Sequence, residues 1–368
     1  MKVLVSVFNN LLTDQRIEKV CQTLHNNHYE VELIGNNWRG LPEMKRPYRF
    51  NRILLKSKIL KFAYLEFQWK LYRELLKRAD QHTILLANDL DTLLTNYWVS
   101  KKLHIPLVFD SHEIFTEMPS VNGRFTQKIW RLLERSIVPK LKYFYTSSES
   151  YANWFAKNYD IKKPIVVQNF PRKLPFFEKK ENENTPKTIL YQGVINPSRG
   201  IDKAIEAMQF VENTQLLIAG DGPKLTDYQQ LPSKFGVENK VVFLGNIPPE
   251  KLREITRNAD LGLSIEENNG LSYYYSLPNK ISDYIQSRIP IVVSDFPEFR
   301  RIIDTFQIGE CITSHEPSVL AQTMQQVLDR GRDCYAKNAE IAAEKLCWEQ
   351  EEGKLLTLYQ LVQTENFV

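Results

Sequence analysis

The chain has 368 residues, of which 43% are hydrophobic, 11% aromatic and 25% charged. This composition excludes collagenous, low-complexity and disordered chains and exceeds what one compact core usually holds, so two domains are expected. The net charge of +4 conceals a split, because residues 1–180 carry 30 Lys and Arg against 17 Asp and Glu while residues 181–368 carry 18 against 27.

Cys21, Cys311, Cys334 and Cys347 form no C-x-x-C pair. A zinc ribbon or disulfide framework is therefore not indicated, and a reducing cytoplasm is the simplest home. No uncharged stretch approaches the roughly 20 apolar residues of a spanning helix. The opening Met1-Lys2-Val3-Leu4-Val5 runs into a loop and is not expected to be a signal peptide.

In chain order, short branched-apolar runs alternate with helical patterns, the pattern of parallel α/β layers. Strands are predicted at Lys2–Val7, Glu30–Ile34, Thr83–Ala87, Pro106–Asp110, Tyr143–Thr146 and Ile165–Gln168, then at Thr188–Gln192, Thr214–Ala219, Val241–Leu244, Leu261–Ser264 and Ile291–Ser294. Between the sets, the polar stretch Arg172–Lys187 marks a domain boundary. The fold class is thus α/β, two domains with parallel sheets at 1–171 and 172–350.

The segment Arg39–Arg78 holds 12 basic and 3 acidic residues among many aromatics. Its later stretch, Ile59 to Leu76, reads as a helix with apolar residues on more than half its surface, most of which should be core. The basic flank Lys45–Lys58 is then the better candidate for an anionic lipid surface.

In open α/β sheets ligands bind beyond the carboxyl ends of the strands. His112 follows an apolar strand within Phe109-Asp110-Ser111-His112-Glu113, with Asp110 and Glu113 near enough to orient it. Asp89 and Asp91 could suggest a metal pair, but no third hard ligand is visible beside them. Ser147 or Ser148 with His112 could suggest a hydrolase, but no Gly-x-Ser-x-Gly elbow is present.

In the second half, Gly193 to Arg199-Gly200 joins a strand to a helix, a place where backbone N–H groups and a forked guanidinium can meet phosphate. Gly220-Asp221-Gly222-Pro223 and Gly245 close the next two strands. Leu277-Pro278-Asn279-Lys280 opens a helix, with Ser276 or Leu277 as its expected cap, and the spacing of three puts Lys280 and Asp283 on one face.

Together these stretches resemble the family 4 glycosyltransferases, retaining enzymes of the two-Rossmann GT-B fold. The match runs in order through Leu12-Thr13-Asp14-Gln15-Arg16, Ala87-Asn88-Asp89-Leu90-Asp91, Phe109 to Glu113, Gln168 to Pro171, Tyr191 to Gly200, Ala219 to Gly222, Val242 to Gly245 and Leu277 to Val293. The resemblance implies two Rossmann-like domains facing across a cleft, with a C-terminal helix at about 351–368 expected to pack back on the first. The first, 1–171, would bind a saccharide or lipid-linked acceptor, and the second, 172–350, a UDP- or GDP-sugar.

By the same resemblance, Arg199 and Lys280 would grip the donor diphosphate without a metal ion, Asp283 would bind the ribose, and His112 would lie near the transferred sugar. Gly193, Gly222, Gly245, Asn279 and Tyr275 would line the donor, with Asp14, Arg16 and Glu113 toward the acceptor. Tyr275 stands where the family has the first glutamate of its pair, and Glu266 and Glu267 lie upstream as candidates for that contact. Polysaccharide or lipopolysaccharide biosynthesis, at the inner face of an anionic membrane and without nucleic acid, is the expected setting. A nucleotide-sugar epimerase on the same fold and a non-catalytic nucleotide-sugar-binding partner are the alternatives.

Overall fold

The computed structural model describes residues 1–175, 177 and 186–367. Most of the boundary stretch expected at Arg172–Lys187 lies outside them. The chain forms two compact units, one of Met1–Asn169 with Glu351–Val368 and one of Phe170–Gln350.

The first unit is built on a parallel sheet of β1 (Lys2–Ser6), β2 (Glu30–Asn36), β3 (Arg49–Ile53), β4 (Thr83–Asn88), β5 (Leu107–Ser111), β6 (Tyr143–Thr146) and β7 (Ile165–Val166). Their spatial order is β3-β2-β1-β4-β5-β6-β7. β1, β4 and β5 are near-continuous apolar runs because helices cover a parallel sheet on both faces. Those helices are α1 (Gln15–Asn26), α2 (Leu60–Arg78), α3 (Leu90–Leu103), α4 (Phe125–Ile137) and α5 (Glu149–Tyr159).

Two expectations need correction here. β3 was not anticipated: it is an edge strand, Arg-Phe-Asn-Arg-Ile, in which only Ile53 is fully buried. It passes through the basic flank, whose Arg46 and Arg52 are held internally by Glu18 and by the Pro42 carbonyl, at 3.2 and 2.6 Å. α2 also buries less than its pattern suggests. Ala63, Phe67, Leu71 and Leu75 face the core, whereas Ile59, just before the helix, and Leu60, Phe62, Leu65 and Trp69 are exposed.

The second unit carries β8 (Lys187–Gln192), β9 (Thr214–Ala219), β10 (Val241–Gly245), β11 (Leu261–Ser264), β12 (Ile291–Ser294) and β13 (Gly309–Ile312), in the parallel order β10-β9-β8-β11-β12-β13. Strand alternation divides its core: Ile189 and Tyr191 join one apolar cluster and Leu190 the other. The helices are α6 (Ile201–Ala207), α7 (Leu225–Tyr228), α8 (Leu231–Phe235), α9 (Pro249–Asn258), α10 (Leu271–Tyr274), α11 (Asn279–Gln286), α12 (Pro297–Phe306) and α13 (Pro317–Lys345), which bends at Gly331. α11 is capped by Pro278, later than the expected Ser276 or Leu277.

The last helix, α14 (Trp348–Phe367), packs in the first unit from Glu351 onward. Tyr359 meets the Tyr29 ring at 5.8 Å, Glu365 accepts from Tyr143 at 2.6 Å, and Glu351 accepts from the Gln168 amide at 2.9 Å.

Candidate functional site

Chain order reverses beside β1 and β4 in one sheet and beside β8 and β11 in the other, and the polar residues gather beyond these strand ends. In the first unit the register pairs Asn88 of β4 with Asp110 of β5. Asp89 and His112, each just past its strand, therefore come together. The His112 ring is held from both sides, Nδ1 by Asp89 and Nε2 by Asp110, each at 3.2 Å. The Asp89 carboxylate also accepts from the His112 amide at 2.8 Å.

Arg16, on α1, completes the network. Its Nε and Nη2 donate to the two oxygens of Asp110 at 2.9 and 2.7 Å, and Nη1 donates to the Val167 carbonyl at 2.7 Å. Burial alone would favour a neutral His112, but Asp89 and Asp110 outweigh it and raise the imidazole to about 10. Burial likewise pushes against ionised Asp110, and Arg16 and His112 overcome it, holding the carboxyl down to about 2. His112 is therefore an imidazolium at neutral pH, a donor fixed between two acceptors.

The expected first-unit residues thus divide. His112, Arg16 and Asp110 form one buried network, with Asp89 as the partner that the sequence reading did not assign. Asp14 is the α1 cap, accepting from the Ile17 amide at 3.0 Å and from Asn9 at 3.0 Å. The Glu113 carbonyl accepts from Ser111 at 2.8 Å. Among the described residues no group of three or more His, Cys, Asp or Glu is placed to hold a metal ion.

In the second unit the loops after β8, β9 and β10 are stitched by backbone: the Gly193 amide donates to Ala219, and the Gly220 amide to Gly245. Gly220 must lack a side chain, since a Cβ there would strike the Gly193 carbonyl, and a Cβ at Gly222 would strike Ile195. Lys280, in the first turn of α11, lies against this platform. Its ammonium sits 4.3 Å from the Tyr191 ring centroid, and its Cε would be in ordinary contact with a Cβ at Gly193.

The partner of Lys280 is Glu266, just past β11, at 2.6 Å. Arg199 approaches the same Oε1 at 3.5 Å and covers the Tyr273 ring at 4.8 Å. The other carboxylate oxygen accepts from Ser264 at 2.8 Å. The two cations expected at the donor are thereby brought together around one buried carboxylate. Burial would raise its pKa, but Lys280 and Arg199 lower it on balance.

Asp283 accepts from the Gln192 amide group at 2.8 Å, and Gln192 in turn accepts from Thr256 at 2.7 Å. Asn279 begins α11, and Tyr275 caps the end of α10 with its ring against Tyr274. Glu266 is turned toward Lys280 and Arg199, whereas Glu267 is half-exposed and anchors its backbone to the Ser198 carbonyl at 3.0 Å. Gln192 falls within the matched stretch Tyr191 to Gly200 but was given no role of its own, and Thr256 was missed because it lies in no recognisable motif.

Comparison with known proteins assigns both halves. The family model for glycosyl transferases group 1 matches residues 173–345, and that for glycosyltransferase family 4 matches residues 15–170. The subunit of phosphatidylinositol N-acetylglucosaminyltransferase named GPI3, from Saccharomyces cerevisiae, is 28% identical over 108 residues, 28% of this chain and 24% of that protein. The O-antigen chain mannosyltransferase of Salmonella typhimurium is 28% identical over 188 residues, 49% of this chain and 50% of that protein. The chain thus spans from about a quarter to half of the length of these relatives. Sucrose-phosphate synthase of Thermosynechococcus elongatus superposes with a TM-score of 0.81 at 14% identity, over 99% of this chain and 100% of that one.

Proposed function

This chain belongs to the group 1 glycosyltransferases of family 4, with the GT-B fold, and from that premise we propose that it is a retaining, metal-independent transferase acting on a nucleotide-diphosphate sugar. The second unit binds the donor and the first receives a saccharide or lipid-linked acceptor. The convergence of Arg199 and Lys280 beside the glycine platform carries this reading. As the glycosidic bond breaks, negative charge grows on the departing phosphate, and preorganised cations stabilise it there. Asp283 offers acceptor oxygens to ribose hydroxyls. His112, its two ring N–H groups engaged by Asp89 and Asp110, presents a fixed positive charge toward the sugar.

An acceptor presented by an anionic lipid surface fits the first unit. On α4, Phe125, Ile129 and Leu132 are exposed, two of them above 70%, and Arg124, Lys128, Arg131 and Arg135 interleave with them. α2 adds Phe62, Leu65 and Trp69. The helices meet where the Tyr64 and Trp130 rings stand edge to face at 5.3 Å. An apolar row with flanking cations suits the headgroup boundary of an anionic bilayer. Among the described residues no helix is long and apolar enough to cross a membrane.

The test is mass-spectrometric: the protein with a panel of UDP-, GDP- and other nucleotide sugars, with and without bacterial membrane extract, in chelator. One donor should release its nucleoside diphosphate, faster with extract. An isomerised donor as sole product would turn the assignment to an epimerase, and binding without turnover would leave a carrier. For the lipid surface, Phe125→Ser with Leu132→Ser should abolish flotation with phosphatidylglycerol vesicles. Unchanged flotation would remove the lipid component of the reading.

A further inference from the structure

A carboxylate at the centre of an anion-binding pocket runs against the pocket's purpose. Glu266 is nearly inaccessible, at 2% exposure, yet its Oε1 is the common partner of Lys280 and Arg199, the two side chains that the donor reading assigns to a diphosphate. Its placement is built in detail. Ser264 donates to its second oxygen, and Ser294 donates to its backbone carbonyl at 2.6 Å. Gly200 is pressed so closely on the neighbouring Ile265 carbonyl that a Cβ would not fit, and the Glu267 amide is tied to Ser198. The segment bearing Glu266 and the loop bearing Arg199 are thus one assembly.

We infer that Glu266 is an internal counter-ion of the donor pocket, a positioning residue that pins Lys280 and yields Arg199 to the incoming diphosphate. This rests on the donor reading above and adds to it a control on how tightly the pocket holds its anion. The two cations are bound unequally. Lys280 lies at 2.6 Å with its side chain 8% exposed, while Arg199 lies at 3.5 Å with its side chain 21% exposed. Arg199 is the one free to turn from carboxylate to phosphate, with the Tyr273 ring as its support.

The carboxylate does two things at once. It offsets the repulsion between cations sharing one pocket, and it opposes the phosphate's charge over a short, poorly screened distance. Ground-state retention of substrate and product is lowered, while Lys280 is kept where negative charge grows as the bond breaks. Removing the charge while keeping the shape should therefore tighten the resting complex and slow turnover, a split that no simple loss of structure produces.

The experiment is calorimetric titration of the full chain with UDP and with GDP, on wild type, Glu266→Gln, Lys280→Met and the double variant, with thermal unfolding recorded for each. Glu266→Gln should bind whichever diphosphate the wild type binds at least fivefold more tightly. It should also release nucleoside diphosphate from the donor sugar at least tenfold more slowly at saturation, and Glu266→Asp should recover some of that rate. In the Lys280→Met background the same change should still tighten binding, since the carboxylate opposes the phosphate without the lysine, but should slow release by less than twofold, since its part in turnover acts through the lysine. Equal or weaker diphosphate binding by a folded Glu266→Gln overturns the inference. If Glu266→Gln alone does not fold, the charge-neutral double variant against Lys280→Met decides, and equal or weaker diphosphate binding by the double variant overturns it. Wild-type protein that binds neither UDP nor GDP would instead overturn the donor reading itself.

Discussion

The two polar centres of this transferase are inversions of each other. In the first unit a cation, the His112 imidazolium, is held between two carboxylates, with Arg16 closing the network on Asp110. In the second a carboxylate, Glu266, is held between two cations. The first has its charges matched within itself, two against two. The second carries one positive charge in excess, and so has something left to offer an anion. A buried charge cluster whose members satisfy one another orients groups, and one with a remainder binds.

The largest expected effect comes from breaking the balanced network. Asp110 is fully buried and Arg16 nearly so, so Asp110→Ala strands a guanidinium and should cost about 3–5 kcal/mol in urea unfolding. A loss below about 1 kcal/mol would mean that Arg16 finds water or another partner.

Titration sharpens the contrast next. His112 is raised to about 10, burial opposing and Asp89 with Asp110 prevailing. Its share of stability is complete below the unfolded value near 6.5 and is lost as pH rises through about 10. Asp110, held down to about 2 against its burial by Arg16 and His112, contributes above its unfolded value near 3.9 and is lost as pH falls through about 2. Glu266 is lowered too, so its contribution also fails only in acid. Urea midpoints should therefore fall between about pH 7 and 10 in wild type, and His112→Asn should flatten that fall. A parallel slope in the variant would place the alkaline loss elsewhere.

The smallest effect tests a residue that the sequence reading put toward the acceptor. Asp14 caps α1, so Asp14→Ala should lower stability by about 1 kcal/mol. A large rise in acceptor KM beyond that loss would give the residue a substrate contact as well.

The sequence was most legible where the chain is buried on both faces. The central strands β1, β4, β8, β9 and β12 are runs of branched apolar residues bounded by turns, and they stand where the pattern predicts. Of the edge strands, β7 and β10 stand where the pattern predicts, but β3 and β13 were not legible: β3 has one buried residue, and β13 is only Gly309–Ile312. α2 misled in the opposite direction, since a pattern of apolar residues does not say whether they meet protein or another surface. In the site, the motifs located Arg199, Lys280 and His112. Asp110 was legible as a partner of His112, but two other pairings stayed hidden, because Asp89 reaches His112 only through the β4 to β5 register and Glu266 reaches Lys280 only across the β8, β11 and α11 arrangement.

The most direct test of the account is the rate of nucleoside diphosphate release from the active donor, measured in chelator for wild type and Lys280→Met. If an ammonium fixed beside the glycine platform takes the place of a metal, chelator leaves the wild type unchanged and the variant loses about a hundredfold. Wild-type rates in the variant, or wild-type activity abolished by chelator, would contradict the account.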